Sequence, residues 1–563
     1  MSGKNAVTFG IDLGTTYSCI SYMDEQGKTV IVPNKEHHLT TPSVVMFEGE
    51  NIIVGDEAKN SALLNPDAVV EMVKRHMGET HWRFPYEGKE YSPEEISSYV
   101  LRKLALDTEE VVGFPVKDVV ITCPAYFGIA QREATARAGE IAGLIVHEVI
   151  NEPTAAAITY GLLNEQEQVV LVYDLGGGTF DVTVISIKAG SITVIATGGD
   201  HNLGGRNWDE AIVLYLAQQW QAQTGMFDDP TESSETLQDL WHKAERAKWT
   251  LTVRQQTKVV VVHAGRQVKV SLTRAKFEEL TDGLLDRTLL FTKMVMREAE
   301  SRGYHSIDKL LLVGGSTKMP QVAECLDQAF HIPLLLFEPE EAVARGAAIY
   351  GQKLRLDQHI QIKIAQLTGA PTEEIEILQH PALLTHAHED IALALGMNVE
   401  EVEHMVNTSI TNVTSHSFGI IVTVDHQKPS RREVVENLLL VNDPLPAFRV
   451  HKYGTLEPHQ EFVELQIIEN TQQTRIVELT EENQFEEIGT VTLPLPPGLP
   501  AHSPIEVTFE IDRQGRLHVV GRPSVGAGFS SAQAVEAAFE TRGGITPEEL
   551  NAAKSRVSKL TIV

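Results

Sequence analysis

Two short glycine-bearing turns constrain this chain more than any other feature: Phe9-Gly-Ile-Asp-Leu-Gly-Thr-Thr-Tyr17 and Val172-Tyr-Asp-Leu-Gly-Gly-Gly-Thr-Phe-Asp-Val182. Each places an apolar β-type run before an acidic residue, then glycine and hydroxyl residues. More β-type sequence follows, Ser18-Cys-Ile-Ser-Tyr22 and Val182-Thr-Val-Ile-Ser186. Both read as β-hairpins. A hairpin turn without side-chain bulk brings backbone N–H groups against phosphate oxygens, and the neighbouring carboxylate faces the cation that accompanies them. One Asp-x-Gly-Thr hairpin would mean little, because such turns close many hairpins for structural reasons alone. Two copies roughly one domain length apart predict a duplicated α/β domain gripping a nucleotide from both sides. The chain has neither the Gly-x-x-x-x-Gly-Lys-Ser/Thr phosphate loop nor a Gly-x-Gly-x-x-Gly dinucleotide turn.

Composition removes several alternatives. A length of 563 residues gives room for two or three domains, each with its own core. With 47 basic against 77 acidic residues the net charge is −30, which repels nucleic acid and anionic membrane surfaces at long range. No apolar window of about 18 residues is present, and the first residues lack a signal-type apolar core. A cytoplasmic protein with neither nucleic-acid nor membrane partners is expected. Cys19, Cys123 and Cys325 are too scattered for a disulfide framework or a thiolate zinc site, and read as small buried hydrophobes.

Residues 5 to about 53 alternate as short strands. Tyr91-Ser-Pro-Glu-Glu carries the serine cap, proline and acidic first turn of a helix running to about Asp107. A strand from Asp118 to Cys123, a helix over 131–139 and a strand ending at Asn151-Glu152-Pro153 form a parallel unit. Ligands in such units sit beyond the carboxyl ends of the strands, which is where Glu152 falls. Further on, Glu245, Lys248 and Thr252 share one helix face. Leu310 to Pro320 is a buried strand, a Gly-Gly turn and a helix start suited to an anion or ribose. Taken alone, Lys74 and the 245–252 face are equally well solvated surface.

Ile11-Asp-Leu-Gly-Thr-Thr-Tyr-Ser-Cys, Pro124-Ala-Tyr-Phe, Ile150-Asn-Glu-Pro-Thr-Ala-Ala-Ala, Asp174-Leu-Gly-Gly-Gly-Thr-Phe-Asp, Leu312-Val-Gly-Gly-Ser-Thr and Glu341-Ala-Val-Ala-Arg-Gly-Ala-Ala occur in that order. Together they resemble the nucleotide-binding domain of the 70 kDa heat-shock chaperone (DnaK-type) family over residues 5 to 353. The resemblance implies an α/β, actin-like, two-lobed ATPase that binds ATP and ADP with Mg2+ and with K+. It implies that Asp12, Asp174 and Asp181 surround the cations, largely through water. Gly14, Thr15, Thr16, Tyr17, Gly176, Gly177 and Thr179 would hold the phosphates. Lys74 and Glu152, with Asp174, would position the attacking water, and Gly204, Gly205, Glu245, Lys248, Thr252, Gly314, Gly315, Ser316 and Lys318 would meet the nucleoside. Three departures stand out. Trp249 and Lys318 replace arginines that flank the base in the family, and Glu148 replaces the arginine that the family presents to its J-domain co-chaperone, which puts ordinary J-domain contact in doubt.

The expected domains are 1–353 for the ATPase, 354–412 for a helical insertion replacing the usual linker, 413–525 for a peptide-binding-like β-sandwich and 526–563 for a short helical tail. Asn398 begins a helix in the insertion, and Pro371-Thr-Glu-Glu another. His380, His386, His388 and His404 lack zinc spacing and read as solvated side chains. Likeness resumes at Asn412 and is close over Pro504 to Val519. If the sandwich forms, Ile420, Val463 and Leu465 are candidates for an apolar peptide cleft, although core positions would look the same. The tail is far shorter than the family's helical lid, which implies an open peptide site. The resulting expectation is an ATP-hydrolysing chaperone acting in protein folding and the stress response, whose nucleotide state controls its hold on extended apolar polypeptide segments and which works with co-chaperones or an exchange factor. The alternative is a slowly hydrolysing, nucleotide-switched scaffold or co-chaperone with dedicated partners. A small-molecule kinase is disfavoured by the sandwich and by the lack of an acceptor base.

Overall fold

The computed structural model describes residues 7–163, 166–372, 375, 377, 381–395, 397–424, 431–480, 483, 485–523, 537–540 and 545–563. The chain divides into two compact units, one of Met1–Ala125, Ala134–Ile410 and Ile545–Val563, the other of Tyr126–Glu133 and Thr411–Gly544.

Both expected hairpins form, and each is the centre of a sheet. Thr8–Asp12 pairs antiparallel with Tyr17–Met23 on one side and parallel with Asp118–Cys123 on the other, followed by Ile145–Asn151. Gln168–Leu175 repeats the plan, antiparallel to Phe180–Lys188 and parallel to Lys309–Val313, followed by Leu334–Leu336. The same connectivity twice places both turns, and both sets of parallel strand ends, where α/β sheets present ligand sites.

Two helices cross where small residues permit it. Glu152–Leu163 carries the buried run Ala155, Ala156 and Ala157; Ala342–Thr368 sets Gly346 against Ala155 and its buried Ala344, Ala347 and Ala348 against Gly10 of the first strand. A Cβ built on Gly346 would lie 1.8 Å from the Ala155 carbonyl oxygen, and one on Gly10 would lie 2.1 Å from the Ala348 nitrogen. Glycine is required at both positions by close approach.

The expected boundary at 353 falls inside the helix Ala342–Thr368, because its apolar positions Leu356, Ile360 and Ile364 stay buried beyond it. They form a satellite core with Ala387, Ile391, Val402 and Val406. Asn398 does cap the helix Val399–Asn407, through an N–H bond from Glu400 to its Oδ1 at 3.0 Å. Pro381–Leu395 is helical as well, which the acid-first-turn pattern did not mark. Most of the expected start at Pro371 lies outside the described residues. Ser409–Thr411 then adds a strand beside Ser191–Asp200, with Ser409 donating its N–H to the Gly190 carbonyl at 2.9 Å.

The second unit is a sandwich. One sheet runs Ile476–Glu478, Arg432–Leu439, Ser417–Val424, Phe462–Asn470 and Phe485–Pro494; the other runs Ala447–Gly454, Pro504–Ile511, Leu517–Pro523 and Ala537–Glu540. Alternate residues such as Ile467, Leu493, Val507, Phe509 and Val519 fill its core. Ile420 and Leu465 are buried within that same core and Val463 is packed against it half-buried. Two of the three cleft candidates therefore present no surface here, because strand period two points them at the facing sheet.

The tail differs most from expectation. Residues 545–563 group with the first unit, where Pro547–Val557 is helical and Thr561–Ile562 pairs with Asn51–Val54. Residues 526–536, within the expected tail, lie outside the described residues.

Candidate functional site

The two turns meet tip to tip. A Cβ on Gly177 would fall 2.2 Å from Thr16 Oγ1, and one on Gly178 would fall 2.3 Å from Thr15 Cγ2. The glycines of one turn thus make room for the hydroxyl residues of the other. Gly204 closes on the same point, its added Cβ 2.6 Å from the Gly178 backbone. The second turn's carbonyls are held from behind. Gly176 O accepts from Gly205 N–H at 3.0 Å and from Ser316 Oγ at 2.9 Å, and Gly177 O accepts from Arg206 N–H at 2.8 Å. Gly178 O accepts from Arg75 Nη2 at 2.8 Å.

Around this junction lies a cavity of about 470 Å³. Its wall includes Asp12, Gly14, Thr15, Thr16, Tyr17, Lys74, Glu152, Asp174, Gly176, Gly177 and Thr179 at one end. Glu245, Lys248, Thr252, Gly314, Gly315, Ser316 and Lys318 line it too. Gly204, Gly205 and Asp181 stand just off the wall, with Asp181 the cross-strand partner of Asp174. Ile420, Val463 and Leu465 belong to the other unit.

The electrostatics are those of a site built for cations and phosphate. Lys74, held on the short turn Val73–His76, is buried with its Nζ 2.5 Å from Glu152 Oε1. Burial alone would lower its pKa, but the carboxylates of Glu152 and Asp12 outweigh that and raise it. Burial, then Glu152, push Asp12 up to about 7, against the opposing pull of Lys74 and a hydrogen bond from Thr122. Asp174 is raised well above the carboxylate range by burial and then by Glu152, Asp181 and Asp12. Too many buried acids for one lysine is an arrangement that a divalent cation relieves. Their hard oxygen donors suit magnesium. Among the described residues no three acidic, histidine or cysteine side chains converge on one ligation point, so the carboxylates would hold the ion largely through water and phosphate oxygens. Among the described residues, His386, His388 and His404 belong to no such group; His388 is not solvated as expected but buried, its Nδ1 3.4 Å from Glu403 Oε1, and His380 lies outside the described residues.

At the far end, charged side chains are tied into pairs. Lys59 Nζ lies 2.7 Å from Glu245 Oε2 and donates to the Tyr17 hydroxyl at 2.9 Å. Lys248 Nζ reaches Asp209 Oδ2 at 2.8 Å and the Gly205 carbonyl at 3.0 Å. Lys318 Nζ is 2.5 Å from Glu340 Oε1. Trp249 is 56% exposed on the cavity wall, available to stack on a base. Lys59, Arg75, Asp209 and Glu340 were not singled out from the sequence. Each is an ordinary charged residue there, and only its partner across the fold marks it. Glu148 is buried, with the Tyr350 hydroxyl 3.0 Å away, so the reversed charge is packed into the fold.

A family model described as Hsp70 protein matches residues 8–368. Two proteins named Chaperone protein DnaK, from Halobacterium salinarum strains R1 and NRC-1, are each 35% identical to this chain over 550 residues, covering 96% of it and 76% of the relative. The duplicated hairpin sheets, the facing turns and these matches place the chain in the Hsp70 family.

Proposed function

We propose that this ATP-dependent molecular chaperone hydrolyses ATP in the cavity between the two turns, with the triphosphate lying across Thr15, Thr16, Gly176, Gly177 and Thr179. One observation carries the reading: the tip-to-tip contact of the turns over the buried Lys74–Glu152 pair. Because the second turn's carbonyls are bonded from behind, its N–H edge is the side that serves an anion. Asp12, Asp174 and Asp181 would hold magnesium, largely through water, and the ion would supply charge neutralisation at the phosphate oxygens. We assign the accompanying monovalent cation to potassium on the family resemblance.

Lys74 exchanges its contact with Glu152 for the γ-phosphate, and Glu152, relieved of that partner, orients the attacking water. Phosphoryl transfer asks for such positioning and charge neutralisation more than for a strong base. Glu245, Lys248, Thr252, Gly315 and Ser316 hold the nucleoside, between Trp249 and Lys318. The sandwich unit binds extended apolar segments of unfolded polypeptide, and nucleotide state sets how tightly. Co-chaperones serve this cycle. A J-domain partner would have to meet a buried carboxylate at Glu148 in place of an arginine.

Single-turnover ATP hydrolysis by wild type and Lys74→Ala, with release of a fluorescent peptide in ATP and in ADP, tests both halves. Loss of hydrolysis in the variant and faster release in ATP are expected. Unchanged hydrolysis in the variant refutes the site, and equal release in both nucleotides refutes the coupling.

A further inference from the structure

Acids gather in the cavity around Lys74, and arginines gather behind the second turn. Arg75 donates to the Gly178 carbonyl from Nε at 3.1 Å and from Nη2 at 2.8 Å, and its Nη2 also reaches Asn207 Oδ1 at 2.9 Å. Arg206 stands close by in the first turn of the helix Gly205–Thr224, its backbone N–H on the Gly177 carbonyl. Burial, and then the charge of Arg206, lower the pKa of Arg75. Two guanidinium groups near enough to oppose each other's charge are an arrangement that an anion relieves.

The two arginines differ in the donors they have left. Arg75 already serves the turn and Asn207. The guanidinium of Arg206 takes part in no hydrogen bond among the described residues: its Cζ lies 3.5 Å from the centre of the Trp241 ring, and its Nη1 is 3.7 Å from Glu71 Oε2. A ring stack and a loose ion pair make a perch, and they leave the planar fork of donors unused.

That perch adjoins the phosphate end of the cavity. Arg206 lines both the 470 Å³ cavity and a smaller one of about 50 Å³, and the two share Thr15, Thr16, Asp209 and Glu245 with it. Glu71 and Trp241 belong to the smaller one. Because Arg206 is on the wall of both, rotation about its side-chain torsions is enough to carry the guanidinium from one to the other. Glu71, its ion-pair partner, is three residues ahead of Lys74, so the arginine sits beside the segment that presents the lysine.

We propose that Arg206 is a catalytic residue of ATP hydrolysis: with ATP bound, its guanidinium leaves Trp241 and Glu71 and takes two oxygens of the terminal phosphate. The inference rests on the placement of the triphosphate given above. As the water oxygen bonds to the γ-phosphorus, the bond to the bridging oxygen breaks, its electron pair leaves with ADP, and the water's proton ends on the phosphate. Arg206 keeps its own proton throughout and holds the charge spread over the oxygens of the transferring group. With ADP bound the terminal phosphate is absent and the fork stays on Trp241.

Arg206→Ala and Arg206→Lys in the full chain test this, the second keeping the charge while removing the fork. Single-turnover hydrolysis reads the reaction, and calorimetry reads the affinities for Mg-ATP and Mg-ADP. Arg206→Ala is expected to slow hydrolysis by about tenfold or more and to weaken Mg-ATP by about threefold or more, with Mg-ADP unchanged within about twofold. Arg206→Lys should fall between alanine and wild type, and it carries the same comparison if the alanine variant does not fold. Hydrolysis within about twofold of wild type overturns the proposal. Equal losses of Mg-ATP and Mg-ADP affinity also overturn it, because an arginine that only braces the turn would weaken both. Lys74→Ala in the same assay separates the two readings: if it hydrolyses normally, the site assignment has failed; if it is inactive while the Arg206 variants match wild type, the assignment of Arg206 alone has failed.

Discussion

At the scale of single residues, the site is governed by how much charge is buried around Lys74. Removing its ammonium leaves Glu152, Asp12 and Asp174 as buried acids without their cation, and leaves the γ-phosphate unneutralised. Lys74→Ala is therefore expected to slow single-turnover hydrolysis by about a hundredfold or more, the usual effect of losing one preorganised charge partner. Nucleotide affinity should change far less, since the nucleoside contacts are untouched. Gly177→Ala is a steric test of the same site. Its methyl would meet Thr16 at 2.2 Å, so we expect Mg-ATP affinity to fall at least tenfold by calorimetry, and Gly177→Ala with Thr16→Ala to recover part of it. Lys74 could be named only by resemblance, because a Lys-Arg pair beside a glycine is indistinguishable in sequence from exposed surface. Lys59, Asp209 and Glu340 gave no local sign at all, since each acquires its role from a residue far away in the chain.

Among the elements, the crossing of Glu152–Leu163 on Ala342–Thr368 sets the distance between the two sheets' supports. Gly346→Ala puts a methyl into the Ala155 carbonyl, and overpacking of this kind costs about 3 kcal/mol where backbone must move. Urea unfolding of the nucleotide-free protein should show that loss; a change within about 1 kcal/mol would mean that the helices can separate cheaply. The insertion makes a contrasting case. Ile391→Ala should cost about 2 to 3 kcal/mol in its satellite core, seen as faster hydrogen exchange in Val399–Asn407, while ATP binding is preserved because that core is separate from the cavity. Helix starts with side-chain caps, at Ser92 and Asn398, were legible because the cap is a local interaction. The helix Pro381–Leu395 was missed because it begins at a proline without an acidic turn, and is held by packing.

For the whole molecule, two units with separate cores predict two unfolding transitions. Mg-ATP at about 100 times its Kd should stabilise only the unit carrying the cavity, by about 2.7 kcal/mol, and scanning calorimetry can resolve which transition moves. A shift of both by the same amount would show that the units unfold as one. The two glycine turns, their acidic neighbours and their strand patterns determined the duplicated hairpin plan and the nucleotide chemistry, because turn conformation and strand period are local properties that a few adjacent residues dictate. Three matters were open until the chain was folded: the meeting of Thr15 and Thr16 with Gly177 and Gly178, the burial of Ile420 and Leu465 in the sandwich core, and the docking of residues 545–563 onto Glu95 and the Asn51–Val54 strand. Each depends on which surfaces, distant in the chain, come to lie against one another, and periodicity specifies that a side is buried without saying what covers it.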